Sequence, residues 1–247
     1  MKIIINGALG RMGAQLCKLA DEGYKGIEAV AYVDVNARTS KEEKLYSSLS
    51  EFSGECDCII DFSHHSATDA IFDYAIARKL PVLIATTGHT QDELDRIKEA
   101  SKHIPVFHSG NMSVGIALLV KLAREAALAF PDADIEIVEK HHNRKLDVPS
   151  GTALMLADAV ASAREDSRLI VGRHENGKRD ARDIGVHSIR MGNIVGEHEV
   201  IIGTDTQIIT LKHEAQSRAL FAEGAISAAL YLCEQNAGLY NMQTMLK

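Results

Sequence analysis

Apolar and polar positions alternate in blocks along the first third of the chain. Residues 2–6 (KIIIN) are typical of a buried strand, and residues 11–22 place apolar side chains at helical spacing, with Met12 among those facing inward. Helical patterns also predict helices at 66–79 and at 91–102, the second capped by Thr90. Strands alternating with helices predict an α/β domain with a parallel sheet. The further predicted strands are residues 27–33, 58–62, 81–85 and 105–107.

The pattern changes after residue 113. Residues 114–130 are strongly helical, residues 134–142 are strand-like, and a second helix is predicted to begin at the PSGTA turn, residues 149–153. This order predicts an α+β domain with a mixed sheet. A last helical stretch, residues 217–235, has the length and alanine content to pack back on the first domain. The later predicted strands are residues 186–190, 198–203 and 206–213.

Composition narrows the classes of function. At 247 residues, with 46% apolar and 25% charged residues, the chain can form one large domain or two smaller ones. A net charge of −7 argues against a nucleic-acid binder, which needs a basic face for phosphates. No run approaches the ~20 apolar residues of a membrane span, so no membrane partner is expected.

Cysteine and histidine spacings give no sign of a metal site. The 4 cysteines lack a C-x-x-C pair, and we expect reduced thiols in a soluble, cytoplasmic protein. None of the 11 histidines has the H-E-x-x-H spacing of a helical zinc site. We therefore predict no bound metal.

A glycine loop, GALGRMG at residues 7–13, joins the first strand to the first helix. Glycines at 7, 10 and 13 allow close backbone approach, and a helix N-terminus offers N–H groups to a pyrophosphate. Asp34 ends the second strand, where an acidic residue accepts hydrogen bonds from ribose hydroxyls. The loop predicts a Rossmann-like dinucleotide domain; the alternative is a glycine-rich turn without a ligand.

A second motif, EKHHNRKLDVPSGTA at residues 139–153, gathers positive charge before a helix. The N–H groups near Gly151 and Thr152 would meet an anion at the positive end of the helix dipole. Lys145 and a nearby histidine would complete a carboxylate or phosphate pocket. The alternatives are structural histidines and a solvated run of charges.

These motifs resemble those of the dihydrodipicolinate reductase family. The resemblance runs nearly end to end and includes IDFS (60–63), ATTG (85–88), GNMSVG (110–115), RMGNIVGEHEV (190–200) and SRALFAEGA (217–225). It implies reduction of 4-hydroxy-tetrahydrodipicolinate with NADH or NADPH, in the diaminopimelate route to lysine. It also implies a nucleotide domain at 1–112 completed by 218–247, a substrate domain at 113–217, and a homotetramer.

The resemblance further implies roles for individual residues. His141 is the expected general acid, and Lys145 is its proton-donating partner. His142, Gly151 and Thr152 are expected to bind a carboxylate of the dicarboxylate substrate. The expected cofactor-binding residues are Gly7, Ala8, Leu9, Gly10, Arg11, Met12, Asp34, Ala85, Thr86, Thr87, Ser109, Gly110, Asn111 and Met112.

Two positions depart from the family pattern. Ala85 stands where family members commonly have glycine, and Val35 stands where some carry an arginine suited to a 2′-phosphate. The second departure predicts that NADH is used at least as well as NADPH, with Arg38 and Lys41 the nearest cations in sequence.

Three other functions remain open from the sequence. The first is another nicotinamide oxidoreductase of this architecture, such as an aspartate dehydrogenase. The second is an NAD-binding sensor without turnover, which the acidic balance and the lack of a helix-turn-helix pattern disfavour. The third is a metallohydrolase built on the histidines, which metal analysis would test.

Overall fold

The computed structural model describes residues 1–40 and 43–247. Its strands are β1 (Lys2–Asn6), β2 (Glu28–Val33), β3 (Leu45–Tyr46), β4 (Cys58–Asp61), β5 (Val82–Ile84), β6 (Pro105–His108), β7 (Asp134–His141), β8 (Arg168–Val171), β9 (Asp183–Arg190), β10 (Gly196–Gly203), β11 (Ile208–Ala215) and β12 (Gly238–Tyr240). Its helices are α1 (Arg11–Asp21), α2 (Thr68–Arg78), α3 (Gln91–Ala100), α4 (Val114–Ala129), α5 (Gly151–Ala161), α6 (Ala219–Leu232) and α7 (Met242–Met245). Every predicted strand and helix is present, whereas β3, β8, β12 and α7 were not predicted.

The chain divides into two units. The first unit contains Met1–Ser113 and Arg218–Lys247, and the second unit contains Val114–Ser217. The assignment of nucleotide binding to one and substrate binding to the other stays a prediction. Within the described ranges, no helix is both long enough and apolar enough to cross a membrane.

A parallel sheet forms the centre of the first unit. Its described strands run in the order β12-β6-β5-β4-β1-β2-β3, and every neighbouring pair is parallel. Ile4 of β1 and Ile59 of β4 are fully buried in a cluster that includes Ile71 and Phe72 of α2. Continuous apolar strands of this kind are typical of a sheet covered on both faces. The predicted Rossmann-like α/β fold is confirmed.

The start of α3 is set by a capping box. Thr90 caps α3 as predicted, because its side chain accepts from the N–H of Glu93 at 3.3 Å and the Glu93 carboxylate accepts from the N–H of Thr90 at 2.7 Å.

Helix α1 begins at Arg11 and buries Leu16. The expectation that Met12 faces inward is wrong: it lies in the first turn, is only partly buried and lines a cavity.

The end of the chain returns to the first unit. Helix α6 packs against α1 and against β4, β5 and β6. Strand β12 then pairs in parallel with β6, placing Gly238 opposite Pro105 and Tyr240 opposite Phe107. The parallel sheet therefore contains strands from both ends of the sequence.

A mixed sheet forms the centre of the second unit. Its described strands run in the order β11-β10-β7-β9-β8; β10 is antiparallel to both neighbours, and β9 is parallel to both of its own. Alternate residues of β7 are buried, namely Ile135, Ile137, Glu139 and His141. Helices α4 and α5 pack with the two isoleucines in one apolar cluster. The predicted α+β region with a mixed sheet is confirmed, and the two-residue period carries His141 onto the buried face.

Candidate active site

The glycine loop requires glycine at its first and last positions. Gly7 has a φ of +82°, and a Cβ atom there would lie 2.7 Å from the carbonyl carbon of Phe62. A Cβ atom at Gly13 would collide with the carbonyl oxygen of Gly7. The N–H groups of Gly7 and Ala8 donate to the carbonyl of Val33, at 2.8 and 3.0 Å. The loop therefore lies against the ends of β2 and β4, where backbone can approach a ligand closely.

A cavity of about 540 Å³ opens beside this loop, and Gly7, Gly10 and Asp34 line it. The N–H groups of Leu9 and Asn36 donate to the Asp34 carboxylate, at 3.1 and 3.0 Å. A carboxylate held at the end of this strand is placed to accept hydrogen bonds from ribose hydroxyls. The first turn of α1, next in the chain, contains no acidic residue and can receive a phosphate. The residues present therefore fit a dinucleotide.

A second cavity of the first unit has a volume of about 290 Å³. It combines three predicted cofactor segments, namely residues 11–12, Ala85 and residues 110–112. Arg218 and Phe221, at the start of α6, also line this cavity. Sequence reasoning gave neither a role, because only the packing of α6 brings them to the loop. The two arginines of this cavity suit a ligand that carries phosphates.

Two predicted cofactor residues use their hydroxyl groups to fix the loops. Thr86 donates to the buried carboxylate of Asp61 at 2.6 Å, and Ser109 donates to the carbonyl of Asn111 at 2.8 Å. Burial raises the pKa of Asp61, although its hydrogen bonds act in the opposite direction. The side chains of Thr86 and Ser109 are therefore part of the scaffold. Among the other predicted cofactor residues, Ala8 is buried, whereas Leu9 and Thr87 are exposed.

His141 is held by a buried carboxylate in the second unit. Its Nδ1 atom lies 2.5 Å from Oε2 of Glu139, two residues earlier in β7. Arg190 donates to both oxygens of Glu139, at 2.8 and 2.6 Å, and the N–H of Ser150 donates to Oε1 at 3.2 Å. Burial alone would raise the pKa of Glu139, but the hydrogen bonds from His141 and Arg190 hold it well below its usual range. Glu139 is therefore ionised despite its burial.

The other ring nitrogen of His141, Nε2, faces a glycine. A Cβ atom at Gly196 of β10 would lie 3.1 Å from Nε2. The ring of His198, also on β10, lies edge-on to that of His141 with centroids 5.1 Å apart, and its Nε2 lies 3.2 Å from Oγ of Ser150. Burial and the neighbouring His141 lower the pKa of His198 to about 4. His198 therefore packs against His141 as an uncharged ring at neutral pH.

The PSGTA turn forms the N-terminus of α5. Ser150 caps this helix, because its side chain accepts from the N–H of Ala153 at 3.2 Å. Gly151 is exposed and Thr152 is partly exposed. This first turn has backbone N–H groups and the positive end of a helix dipole, which is the arrangement expected for binding an anion.

The turn between β7 and α5 carries the other predicted site residues. The N–H of Lys145 donates at 3.2 Å to the carbonyl of His142, the residue that follows His141. Nζ of Lys145 lies 2.9 Å from Oδ1 of Asp147, and the hydrogen bond from Lys145 lowers the pKa of Asp147. Arg190 also donates to the carbonyl of Asp147, at 2.8 Å. Neither this ion pair nor the bridge from Arg190 was predicted.

Sequence reasoning missed the residues that hold His141. The signal for Glu139 was present, because residues two apart on a strand share a face. Arg190 and His198 were out of reach: they lie opposite His141 and Glu139 only through the strand order of the folded sheet. Over residues 1–40 and 43–247, no group of three or more histidine, cysteine, aspartate or glutamate side chains could hold a metal ion.

Two family models together match nearly all of the chain. Residues 1–112 match the N-terminal domain of dihydrodipicolinate reductase, and residues 115–246 match its C-terminal domain. The 4-hydroxy-tetrahydrodipicolinate reductase of Caldanaerobacter subterraneus subsp. tengcongensis is 46% identical over 100% of this chain and 98% of its own length. The reductase of Clostridium novyi is 41% identical, again over 100% of this chain and 98% of its own length.

Solved structures share the fold. A dipicolinate-bound dihydrodipicolinate reductase from Paenisporosarcina sp. TG-14 has a TM-score of 0.82 at 23% identity, over 98% of this chain and 97% of that one. A probable dehydrogenase from Thermotoga maritima has a TM-score of 0.65 at 12% identity, over 99% of this chain and 92% of that one. At such identities the likeness concerns the fold alone. The sequence matches, which cover both units, confirm the resemblance: the chain belongs to the dihydrodipicolinate reductase family.

Proposed function

We propose that the protein reduces 4-hydroxy-tetrahydrodipicolinate to tetrahydrodipicolinate with NADH or NADPH, in the diaminopimelate route to lysine. The observation that carries this proposal is the buried Glu139–His141 pair, which is joined through Ser150 to the N-terminus of α5. This arrangement puts an acid–base group next to an anion site. Full-length relatives at 46% and 41% identity bear the name of this reductase.

The cofactor site is assigned to the first unit. The backbone of residues 7–12, with the N-terminus of α1, would hold the pyrophosphate, and Asp34 would hold the adenosine ribose. Residues 85–87 and 109–112 would line the nicotinamide side. When bound, the dinucleotide supplies a hydride. The contribution of this unit is to bind the dinucleotide and orient it.

The substrate site is assigned to the second unit. Because the substrate is a dianion, we place one carboxylate at the first-turn N–H groups of Gly151 and Thr152. Lys145 and His142, in the turn before α5, supply positive charge and further hydrogen bonds. Dipicolinate, the molecule bound in the Paenisporosarcina enzyme, is itself a flat dicarboxylate, which supports a dicarboxylate pocket.

His141 is the proposed proton donor. The 4-hydroxyl group of the substrate leaves as water together with a hydrogen from a neighbouring ring carbon, and a hydride then adds to the conjugated ring that remains. This addition leaves an electron-rich, enamine-like carbon, which must take a proton. Since Nδ1 faces Glu139, the proton leaves from Nε2: the N–H bond breaks, a C–H bond forms, and the imidazole becomes neutral. Lys145 is the proposed partner that returns a proton to His141.

A homotetramer assembled through the second unit is also part of the proposal. The sheet face opposite α4 and α5 carries Ile189 and Ile208, which are 39% and 72% exposed. Lys140 and Glu197 form an ion pair at 3.0 Å on the same face. Exposed apolar residues among charges suit a contact with a second copy of the chain. Sedimentation of the wild type measures the assembly, and a monomer would contradict it. A cytoplasmic location stays a prediction.

An assay of NADH oxidation with freshly generated 4-hydroxy-tetrahydrodipicolinate tests the proposed reaction. Oxidation that depends on this substrate supports the proposal. Reduction of NAD⁺ by L-aspartate instead would identify an aspartate dehydrogenase. Binding of NADH without turnover of either compound would identify a sensor.

A further inference from the structure

One buried carboxylate connects the proposed proton donor to the rest of the second unit. Glu139 has no surface exposed to solvent. Its two oxygens accept hydrogen bonds from His141, from Arg190 and from the N–H of Ser150. A carboxylate enclosed in this way has no surface left for a substrate. Any part that it plays in the reaction is therefore exerted through its partners.

Arg190 extends this connection to the lysine of the site. Its guanidinium donates to both oxygens of Glu139 and also to the carbonyl of Asp147. The side chain of Asp147 in turn pairs with Lys145 at 2.9 Å. A continuous series of charged hydrogen bonds thus runs from the imidazole of His141 to the turn that carries Lys145.

We infer that Glu139 is the positioning residue for His141, an inference that rests on the proposed role of His141 as proton donor. Glu139 accepts the Nδ1–H bond, which fixes the neutral ring in the tautomer whose Nε2 can take up a proton. Its negative charge also stabilises the protonated ring before transfer. Through the N–H of Ser150, the same carboxylate sets the distance between the imidazole and the N-terminus of α5.

None of the other groups around His141 favours the protonated form of its ring, so the direction in which the charge of Glu139 acts is clear. Arg190, from β9, is positive and disfavours a protonated imidazole. His198, from β10, is an uncharged ring at neutral pH. Lys145, in the turn after β7, is a further cation. Of these neighbours Glu139 alone favours the protonated ring, so removal of its charge must favour loss of the proton.

The variant Glu139→Gln removes the charge but keeps the size and an acceptor oxygen. We expect kcat to fall about 10- to 150-fold, the usual effect of losing one charged hydrogen bond. KM for the substrate should change less, because Glu139 makes no contact with it. The alkaline limb of the kcat–pH profile should move to lower pH. A merely structural role would lower stability without moving this limb.

A matched control lies on the same strand. Glu136 pairs with His187, with Oε2 2.7 Å from Nε2, and with Arg179, but on the opposite sheet face. Glu136→Gln therefore removes the charge of an equivalent histidine–arginine partner away from His141. We expect kcat and its pH profile to stay unchanged in this variant, with its assembly checked by sedimentation. An equal loss in both variants would overturn the inference.

Nuclear magnetic resonance of isotope-labelled histidine gives a readout that needs no turnover. The signal of His141 is assigned by its absence in His141→Gln. In alkaline solution we expect the wild-type ring to carry its proton on Nδ1. A proton on Nε2 would overturn the inference even if Glu139→Gln does not fold.

The two proposals fail separately. A wild type that does not turn over the substrate defeats the proposed function but leaves the tautomer result standing. An active wild type whose kcat and pH profile are unaltered in Glu139→Gln defeats the positioning role alone.

Discussion

Oδ2 of Asp34 lies 3.1 Å from the backbone nitrogen of Leu9, which donates a hydrogen bond to it. This bond joins the end of β2 to the glycine loop. The second carboxylate oxygen accepts from the N–H of Asn36 at 3.0 Å. The negative charge of Asp34 is therefore fixed at the place where a dinucleotide ribose would lie, and a 2′-phosphate there would meet another negative charge.

We accordingly expect kcat/KM with NADH to equal or exceed that with NADPH. Val35, which is 85% exposed, offers no cation. Arg38 is exposed, and Lys41, the other candidate, lies outside the described residues. Asp34→Asn should raise the NADPH/NADH ratio of kcat/KM, since it removes the repulsion. A large preference for NADPH in the wild type would mean that a nearby cation binds the phosphate after all.

His141→Gln should lower kcat by ~10²-fold or more, the usual scale of general acid catalysis. The affinity for NADH, measured by calorimetry, should hardly change, because His141 belongs to the second unit. His174→Gln is the matched control, since His174 is an exposed histidine of the same unit. Wild-type turnover in His141→Gln would return that residue to a structural role.

Dipicolinate should inhibit the enzyme competitively with the substrate, because its two carboxylates lie on a planar ring. Lys145→Ala should weaken its binding roughly 10- to 150-fold, which corresponds to ~1.5–3 kcal/mol for a charged hydrogen bond. Thr152→Val should cost less, because the backbone donors at the start of α5 remain.

Lys178→Ala provides the control for the inhibitor measurement. Lys178 is an exposed lysine of the same unit, so its removal changes the net charge equally. Calorimetry of the wild type and the three variants gives the affinities. Equal weakening by Lys145→Ala and Lys178→Ala would show that only net charge matters and would remove Lys145 from the substrate site.

Stability should fall in acid because of His198. Its pKa is about 4 in the folded protein, against an ordinary value of 6.5, and the cause is first of all burial. As the pH falls between these values, the unfolded chain takes up a proton that the folded chain does not, which favours unfolding. The resulting loss of unfolding free energy is at most about 3 kcal/mol, and it is nearly complete at pH 4.

Urea unfolding of the wild type and His198→Gln, at neutral pH and near pH 4, isolates this effect. Whatever the stability of the variant at neutral pH, its loss of unfolding free energy in acid should be smaller than that of the wild type. His174→Gln should retain the wild-type dependence. Identical acid losses in the wild type and His198→Gln would count against the account of His198.

The sequence predicts the framework better than the contacts between strands. Ile4 and Ile59 belong to continuous apolar runs, which indicate parallel strands without further information. Gly238 to Tyr240 form a strand of only three residues, which has no pattern of its own and exists because β6 offers an edge. Glu139 is charged, and charged residues are mostly exposed, so its complete burial becomes understandable only beside Arg190.

The pairing of β12 with β6, and of α6 with α1, has a consequence for the order in which the protein folds during synthesis. The second unit is one continuous stretch, and all of it is synthesised before residues 218–247. The first unit lacks an edge strand and a covering helix until the residues of α6 and β12 have been made. The middle of the chain is therefore the first part able to reach its final structure, whereas residues 1–113 can complete their sheet only after residues 218–247 have been made.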